Sequence, residues 1–368
     1  MRKELFAYWF LLSVSTSIIG FLYPLYLSSG GMQEREIGVL LGTGSLISLF
    51  ILIAFSSHSD KVGRKVYLFV FGLLSALSAT LFTSYPAYIS YLGAVVLLQV
   101  CSRSTLIFGK IISIESFSSE KGKTYGIFSI SLAAGSLAGS TIAGKILDIL
   151  GFLGTFRISI LISLLAIIPL LFLGPINGKK RHTGNRGPVF YGFLIQRFLS
   201  SAGFSTAFSF AFLLYLRSVF GLSYTMLGFV GALQSLASMA GLSLGNFTDG
   251  KNHLKVTNFS ITISSISMIS VFFWNDLIAV ITSALVSNFM VGVASTNLPH
   301  FFDKVASNLG KDVVIIDGSG ITLGSGFGSV VAGSIIGSFG YSYVFPVAGA
   351  LQLLSTVVLY VLFRGKDV

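Results

Sequence analysis

The chain has 368 residues, of which 53% are hydrophobic and only 10% charged, and its mean hydropathy is +0.86. Soluble domains carry about 25% charged residues, so this composition excludes a soluble protein and indicates a membrane protein. The net charge of +11 would suggest a nucleic-acid partner for a soluble protein. Here its distribution indicates membrane topology instead, and we expect no nucleic-acid partner.

Apolar stretches of about 20 residues, each long enough to cross a bilayer, follow one another along the chain. The first is interpreted as a retained helix, because no small-residue cleavage site follows it. The single cysteine, Cys101, lies in an apolar stretch and is expected to be a small buried side chain. We predict twelve spans, at 5–27, 37–55, 66–83, 88–110, 125–147, 152–173, 190–216, 224–244, 256–274, 277–298, 313–337 and 343–363.

The longest charged connection divides these spans six and six. We predict an N-terminal six-helix half over residues 1–176, a cytoplasmic linker over 177–187 and a C-terminal six-helix half over 188–368. With a cytoplasmic N-terminus, eighteen Lys and Arg residues lie inside and four outside, as the positive-inside rule requires. Both termini are therefore predicted to be cytoplasmic, in a multi-pass protein of the plasma membrane.

Several segments recur at one constant spacing along the chain, the spacing from Asp60 to Asp249, which we call the repeat offset. A single offset that holds in several places indicates two homologous halves. Since each half has six spans, both have the same orientation, and we expect the substrate to lie between them. The matched pairs are Asp60 with Asp249, residues 135–144 with 324–333, and Tyr26 with Tyr215.

The turn between the second and third spans reads Asp60-x-x-Gly63-Arg64-Lys65. It resembles the signature loop of the major facilitator superfamily, whose usual form is Gly-x-Leu-Ala-Asp-Arg-x-Gly-Arg-Lys. The resemblance covers essentially the whole chain. It implies an all-α integral membrane fold with twelve transmembrane helices in two homologous halves, and a transporter that alternates access.

The resemblance also implies a cytoplasmic gate. Similar transporters place an acidic partner of the loop arginine where Glu115 stands, just after the fourth span. An alternative is that Arg64 and Lys65 only enforce topology. The predicted gate residues are Asp60, Gly63, Arg64, Lys65, Glu115 and Asp249.

Small residues form a smooth face on the fifth span and again on the eleventh. Such faces let helix backbones approach closely in lipid. The seam could slide or bend during transport, or could be static packing. A phosphate-binding loop is excluded, because no strand precedes it and no Gly-Lys-Ser/Thr follows. The fifth span also resembles the family's antiporter motif, with Ser140 and Ala143 replacing a proline and a glycine. The predicted helix-packing residues are Gly135, Gly139, Gly144, Gly324, Gly328 and Gly333.

Ionisable residues within spans are costly and indicate function. Asp317 is the only acid clearly inside a span, so it is predicted to be the proton-coupling carboxylate; alternatively, the eleventh span begins later and Asp317 is a solvated or capping charge. Each intramembrane arginine either lines the cavity or snorkels or pairs near the cytoplasmic face. The predicted cavity residues are Tyr23, Tyr26, Gln99, Arg103, Gln196, Arg197, Gln234 and Asn288.

These features predict a monomeric secondary transporter whose partners are a small-molecule substrate, protons and the lipid bilayer. The glycine-rich fifth span favours proton-coupled export of drugs or small metabolites. The two intramembrane arginines favour uptake or exchange of an organic anion, and a proton-independent facilitator is a further alternative. A channel or a membrane-embedded enzyme is a remote alternative. The four histidines are scattered and no acid and base are paired, so we expect no catalytic residue, metal or cofactor.

Overall fold

The structure, a computed structural model, describes residues 3–84, 87–116, 121–174, 176, 188–245, 252–305 and 312–363. Within these ranges the chain is helical apart from short turns, and no strand occurs. Eleven helical stretches of this part are long and apolar enough to cross a membrane. The prediction of an all-helical membrane protein is therefore confirmed. The predicted linker, 177–187, lies outside the described residues.

Several helices continue past the apolar stretches that predicted them. For example, α4 ends at Ser116 and α10 at Val305, because helical hydrogen bonding continues into polar residues after the apolar pattern stops. A 3₁₀ turn at Tyr341–Tyr343 precedes the last helix. The helices are α1 (Lys3–Ser29), α2 (Glu34–Val62), α3 (Arg64–Ser84), α4 (Tyr88–Ser116), α5 (Lys121–Leu171), α6 (Pro188–Phe208), α7 (Ala211–Phe220), α8 (Tyr224–Gly245), α9 (His253–Val271), α10 (Leu277–Val305), α11 (Asp312–Phe339) and α12 (Val344–Phe363).

The long helix α5 contains two of the predicted spans, 125–147 and 152–173. Gly151 interrupts it with φ 67° and ψ −177°, a conformation that favours glycine. The apolar part, Phe128–Leu171, has 44 residues, about twice the length that one crossing needs. A count of twelve spans requires α5 to cross twice, and it stays a prediction.

The predicted seventh span, 190–216, is not one continuous helix. α6 ends at Phe208 and α7 begins at Ala211, with Phe210 at φ −152° and ψ −25° between them. No glycine or proline marks this break in the sequence. The equivalent contacts of the two repeats show the cause of the break.

Before the break, two serines occupy equivalent places. Ser13 Oγ donates to Leu132 O at 2.6 Å, and Ser201 Oγ donates to Ile321 O at 2.8 Å. The two acceptors, Leu132 and Ile321, are related by the repeat offset. The two serines are not, because the offset matches Ser13 with Ala202, one position after Ser201.

After the break, Tyr26 packs on Phe156 as Tyr215 packs on Phe345, and both tyrosines and both phenylalanines are related by the repeat offset. The second repeat therefore holds one extra residue between the serine and the tyrosine. A helix accommodates an inserted residue by local unwinding.

The described chain forms two compact units, and the division passes through α2 and α8. Unit 1 is Met1–Met32, Thr43–Arg181 and Leu222–Ala232. In it α1 packs against α5 at two glycines. A methyl group on Gly135 would lie 2.5 Å from the carbonyl oxygen of Phe10, and one on Gly139 would lie 2.6 Å from that of Val14. These glycines therefore permit backbone contact between the helices.

Unit 2 is Gln33–Gly42, His182–Gly221 and Leu233–Val368. Its helices α6 and α11 repeat the same arrangement, with Gly324 against the Phe198 carbonyl and Gly328 against the Ala202 carbonyl. The structure thus places the four predicted packing glycines of the α1–α5 and α6–α11 pairs in close helix contacts.

Each unit also contains a buried polar cluster that joins three helices. In unit 1, the hydroxyl groups of Ser15, Ser75 and Ser163 bond to one another at 2.5–3.3 Å. In unit 2, Ser264 Oγ donates to Gln352 Oε1 at 3.0 Å. Ser75 and Ser163 match Ser264 and Gln352 at the repeat offset, so both repeats hold their helices together at the same place.

Candidate functional site

The signature turn anchors α3 to the end of α5 within unit 1. Gly63 has φ 95°, a value that favours glycine, and its N–H donates to Ser59 O at 3.1 Å. The Arg64 backbone N–H donates to Ile176 O at 3.0 Å, and Lys65 Nζ donates to Leu173 O. The carbonyl groups of Leu173 and Ile176 follow the end of α5 and have no partners within that helix, so these two hydrogen bonds satisfy them.

The Arg64 side chain is only 2% exposed, although arginines are rarely fully buried. A residue that only enforced topology would have no need of such burial. The burial therefore supports a structural or gating role. Of the other predicted gate residues, Asp249 lies outside the described residues, as do the side chains of Asp60 and Glu115.

An ion pair between α6 and α11 is the main candidate site of unit 2. Arg197 Nε and Asp317 Oδ1 are in direct contact, and their side chains are 16% and 9% exposed. α11 begins at Asp312, so Asp317 lies within the helix, and its role in proton coupling stays a prediction. Arg197 thus has an acidic partner on a neighbouring helix, and its predicted role in the cavity stays a prediction.

The same two helices approach closely beside the ion pair. A methyl group on Gly320 would lie 2.8 Å from Arg197 Cβ. Gln196, the neighbour of Arg197, is fully buried, and neither atom of its amide has a hydrogen-bond partner among the described residues. A small movement of α6 against α11 would therefore change the environment of Arg197 and Asp317 together.

In unit 1, the predicted cavity residues Tyr23 and Arg103 lie on α1 and α4, and Arg103 is half-buried. Tyr23 is buried and stacks on Phe82 with the ring centroids 6.2 Å apart. Tyr26 lies in the same aromatic cluster, 5.6 Å from Phe156, so it contributes to packing. The predicted cavity role of Tyr23 and Arg103 stays a prediction.

The remaining predicted cavity residues are Gln99, Asn288 and Gln234. Gln99 is half-buried on α4. Asn288 of α10 is buried and donates to the Ala284 carbonyl of its own helix at 2.9 Å. Gln234 of α8 is half-buried, and its Nε2 has no hydrogen-bond partner within the described part of the chain.

Two polar contacts near the beginnings of α2 and α8 were not predicted from the sequence. Tyr341 Oη donates to Glu34 Oε1 at 2.8 Å within unit 2. Within unit 1, Asp148 Oδ2 accepts from the Thr225 backbone N–H at 2.9 Å and from its hydroxyl at 2.5 Å. The repeat offset relates the segments that carry these residues. A comparison of those segments could have indicated the two contacts from the sequence.

Comparisons with known proteins agree with this architecture. The family model described as Major Facilitator Superfamily matches residues 5–316. The uncharacterized MFS-type transporter YttB of Bacillus subtilis is 30% identical over 157 residues, which are 41% of this chain and 38% of that relative. The match therefore spans well under half of the relative's length.

Solved transporter structures share the fold across nearly the whole chain. The D-xylose-proton symporter has a TM-score of 0.76 at 14% identity, covering 100% of this chain and 97% of its own. The human organic anion transporter MFSD10 (TETRAN) has a TM-score of 0.74 at 14% identity, with 97% and 99% covered. A bacterial homologue of the iron transporter ferroportin, inward-facing, has a TM-score of 0.72 at 13% identity, with 99% and 98% covered. The chain belongs to the major facilitator superfamily of membrane transporters.

Proposed function

We propose that the protein is a proton-coupled secondary transporter that exports drugs or small metabolites by alternating access. In this proposal it has twelve spans, both termini are cytoplasmic, and it works as a monomer in the plasma membrane. Family membership supports transport. The observation that supports the coupling is the ion pair between the half-buried Arg197 and the buried Asp317.

Coupling needs a group whose charge differs between the two access states. A proton added to Asp317 would neutralise its carboxylate and leave the Arg197 guanidinium without its counter-charge. Breaking a buried ion pair in this way costs about 3–5 kcal/mol, so the protonated state favours a different arrangement of α6 and α11. A proton gradient could then bias one access state over the other.

The contact between α6 and α11 is suited to such a change. Gly320 brings the two backbones together beside the ion pair, so a small displacement would separate the charges. Interfaces of this kind switch between packed arrangements and do not deform continuously.

Asp317→Asn tests this function. Compounds that raise the thermal stability of the purified protein identify a ligand, which is then radiolabelled. In proteoliposomes, the variant is expected to lose accumulation driven by a pH gradient but to keep equilibrium exchange, since exchange needs no net proton movement. Asp276→Asn, which changes an exposed cap of α10, is the matched control and should retain both activities. Accumulation by Asp317→Asn at the wild-type rate would contradict the proposal.

Uptake or exchange of an organic anion is the second candidate function. Arg103, a half-buried arginine inside the apolar stretch of α4, favours it, because a guanidinium can bind a carboxylate or phosphate. The human organic anion transporter shares only the fold, at 14% identity. If stabilising compounds are all anions and Arg103→Gln abolishes the stabilisation, this function replaces export. A proton-independent facilitator would show transport that Asp317→Asn leaves unchanged.

A further inference from the structure

One face of the second half of α5, after the break at Gly151, is exposed along its whole length. This half belongs to the apolar stretch that ends at Leu171. Exposed side chains recur on it at spacings of three and four residues, so they form one continuous stripe along the helix. The stripe, which we call the α5 stripe, consists of Leu153, Arg157, Leu161, Leu164, Ile168 and Leu171.

Arg157 is the only charged residue of this half of α5. Charged residues within spanning segments almost always face the interior of the helix bundle or a water-filled cavity. Arg157 is instead exposed among leucines, and no hydrogen bond or ion pair joins it to the part of the chain that the structure describes. Its partner must therefore come from the surroundings of the protein.

The direction of the helix lets Arg157 reach the membrane surface. Side chains of a helix lean toward its N-terminus, and the predicted topology places the beginning of this half, at Gly151, outside. Arg157 lies about 9 Å further along the axis, at 1.5 Å per residue. Gly154, three residues before it on the same side of the helix, places no side chain in the way. The guanidinium can therefore extend to the level of the lipid headgroups.

We propose that the α5 stripe binds an anionic phospholipid of the outer leaflet. Its phosphate lies on the guanidinium of Arg157, and an acyl chain lies along Leu161, Leu164 and Ile168. A guanidinium binds phosphate through charge-assisted hydrogen bonds in a fixed geometry. The axial distance from Arg157 to Ile168 is about 17 Å, close to half of the roughly 30 Å hydrocarbon core, so the stripe matches the depth of one leaflet.

The second repeat shows that the fold does not require this charge. The repeat offset matches Arg157 with Pro346, and α12 contains no charged residue. The helix that is equivalent to this half of α5 therefore presents only uncharged side chains to lipid. The arginine is a property of one repeat, as a specific binding site would be.

A second copy of the chain fits the α5 stripe less well than a lipid does. Membrane dimers with a two-fold axis along the membrane normal would bring two parallel stripes together. Each Arg157 would then lie opposite the other, and like charges in such a position oppose association. A phospholipid supplies the opposite charge at the same place.

Native mass spectrometry of the delipidated protein, titrated with dioleoylphosphatidylglycerol, tests the site. The first binding step should be tighter for this lipid than for dioleoylphosphatidylcholine. Arg157→Gln should weaken the step roughly fivefold, the contribution of one arginine near a membrane surface. Arg157→Lys keeps the charge and should retain most of the affinity. Arg217→Gln, which removes an exposed arginine from the last turn of α7, is the matched control and should change nothing.

Equal affinity of the wild-type protein for the two lipids would overturn the proposal without any variant. Unchanged affinity in Arg157→Gln, or equal weakening in Arg217→Gln, would overturn it as well, since the attraction would then be independent of this arginine. Thermal unfolding of each variant at the wild-type temperature shows that the comparison concerns folded protein.

A cysteine on the stripe distinguishes a lipid from a second copy. Leu164→Cys in a Cys101→Ala background gives a single thiol, and in proteoliposomes of dioleoylphosphatidylglycerol we expect no disulfide-linked dimer after oxidation. Efficient dimer formation would assign the stripe to a second copy and overturn the lipid site. These experiments use no transported substrate, so their results are independent of whether Asp317→Asn proves transport to be proton-coupled.

Discussion

Gly135→Ala should destabilise the protein, because the added methyl group would lie 2.5 Å from the Phe10 carbonyl oxygen and 2.6 Å from Ser13 Cβ. Side-chain carbons practically never approach other atoms closer than 3.0 Å, so α1 and α5 must move apart along their contact. Overpacking of this kind costs about 1–3 kcal/mol. The same movement would lengthen the 2.6 Å bond from Ser13 to Leu132.

The matched control is Gly20→Ala. Gly20 also lies on α1, but a methyl group there would meet nothing within 4 Å. This change should be neutral or stabilising by up to about 1 kcal/mol, since alanine favours a helix over glycine. Thermal unfolding of both variants in detergent, followed by tryptophan fluorescence and by precipitation, gives the comparison. If Gly135→Ala unfolds at the same temperature as Gly20→Ala, the close α1–α5 contact is refuted.

Three further predictions follow from other contacts. Gln352→Ala should lower thermal stability by the equivalent of about 0.6–2 kcal/mol in the same assay, because it leaves a buried serine hydroxyl without its acceptor; unchanged stability would argue against the cluster. Arg64→Ala should reduce stability or folded yield, whereas Arg217→Ala, an exposed arginine, should not. A cysteine at Gln33 should label only from outside and one at Lys366 only from the cytoplasm, and labelling of both from one side would contradict the topology.

The sequence predicted the fold well because internal repetition and hydropathy can both be read from the sequence without knowledge of three-dimensional contacts. Gly135 and Gly324 were found through one offset, and Asp317 was found because an acid inside an apolar stretch is rare. The pairing of Asp317 with Arg197 was not predicted, since the two residues are far apart in the chain and nothing in their spacing encodes contact.

Other features depend on three-dimensional packing. The break after Phe208 results from one extra residue in the second repeat, at a place with no helix-breaking residue. Serine is common in spanning helices, so Ser75 could not be distinguished from serines that bond to their own backbone. The ring contact of Tyr26 with Phe156 was likewise not indicated by the sequence, because the two residues are far apart in the chain.

The most direct test of the central claim is the release of protons when ligand binds to purified protein in weakly buffered solution. The account predicts that wild-type protein exchanges protons on binding, as a pH indicator dye reports, and that Asp317→Asn binds the same ligand with no proton exchange. Proton exchange of equal size in the wild type and in Asp317→Asn would contradict the claim that Asp317 couples transport to protons.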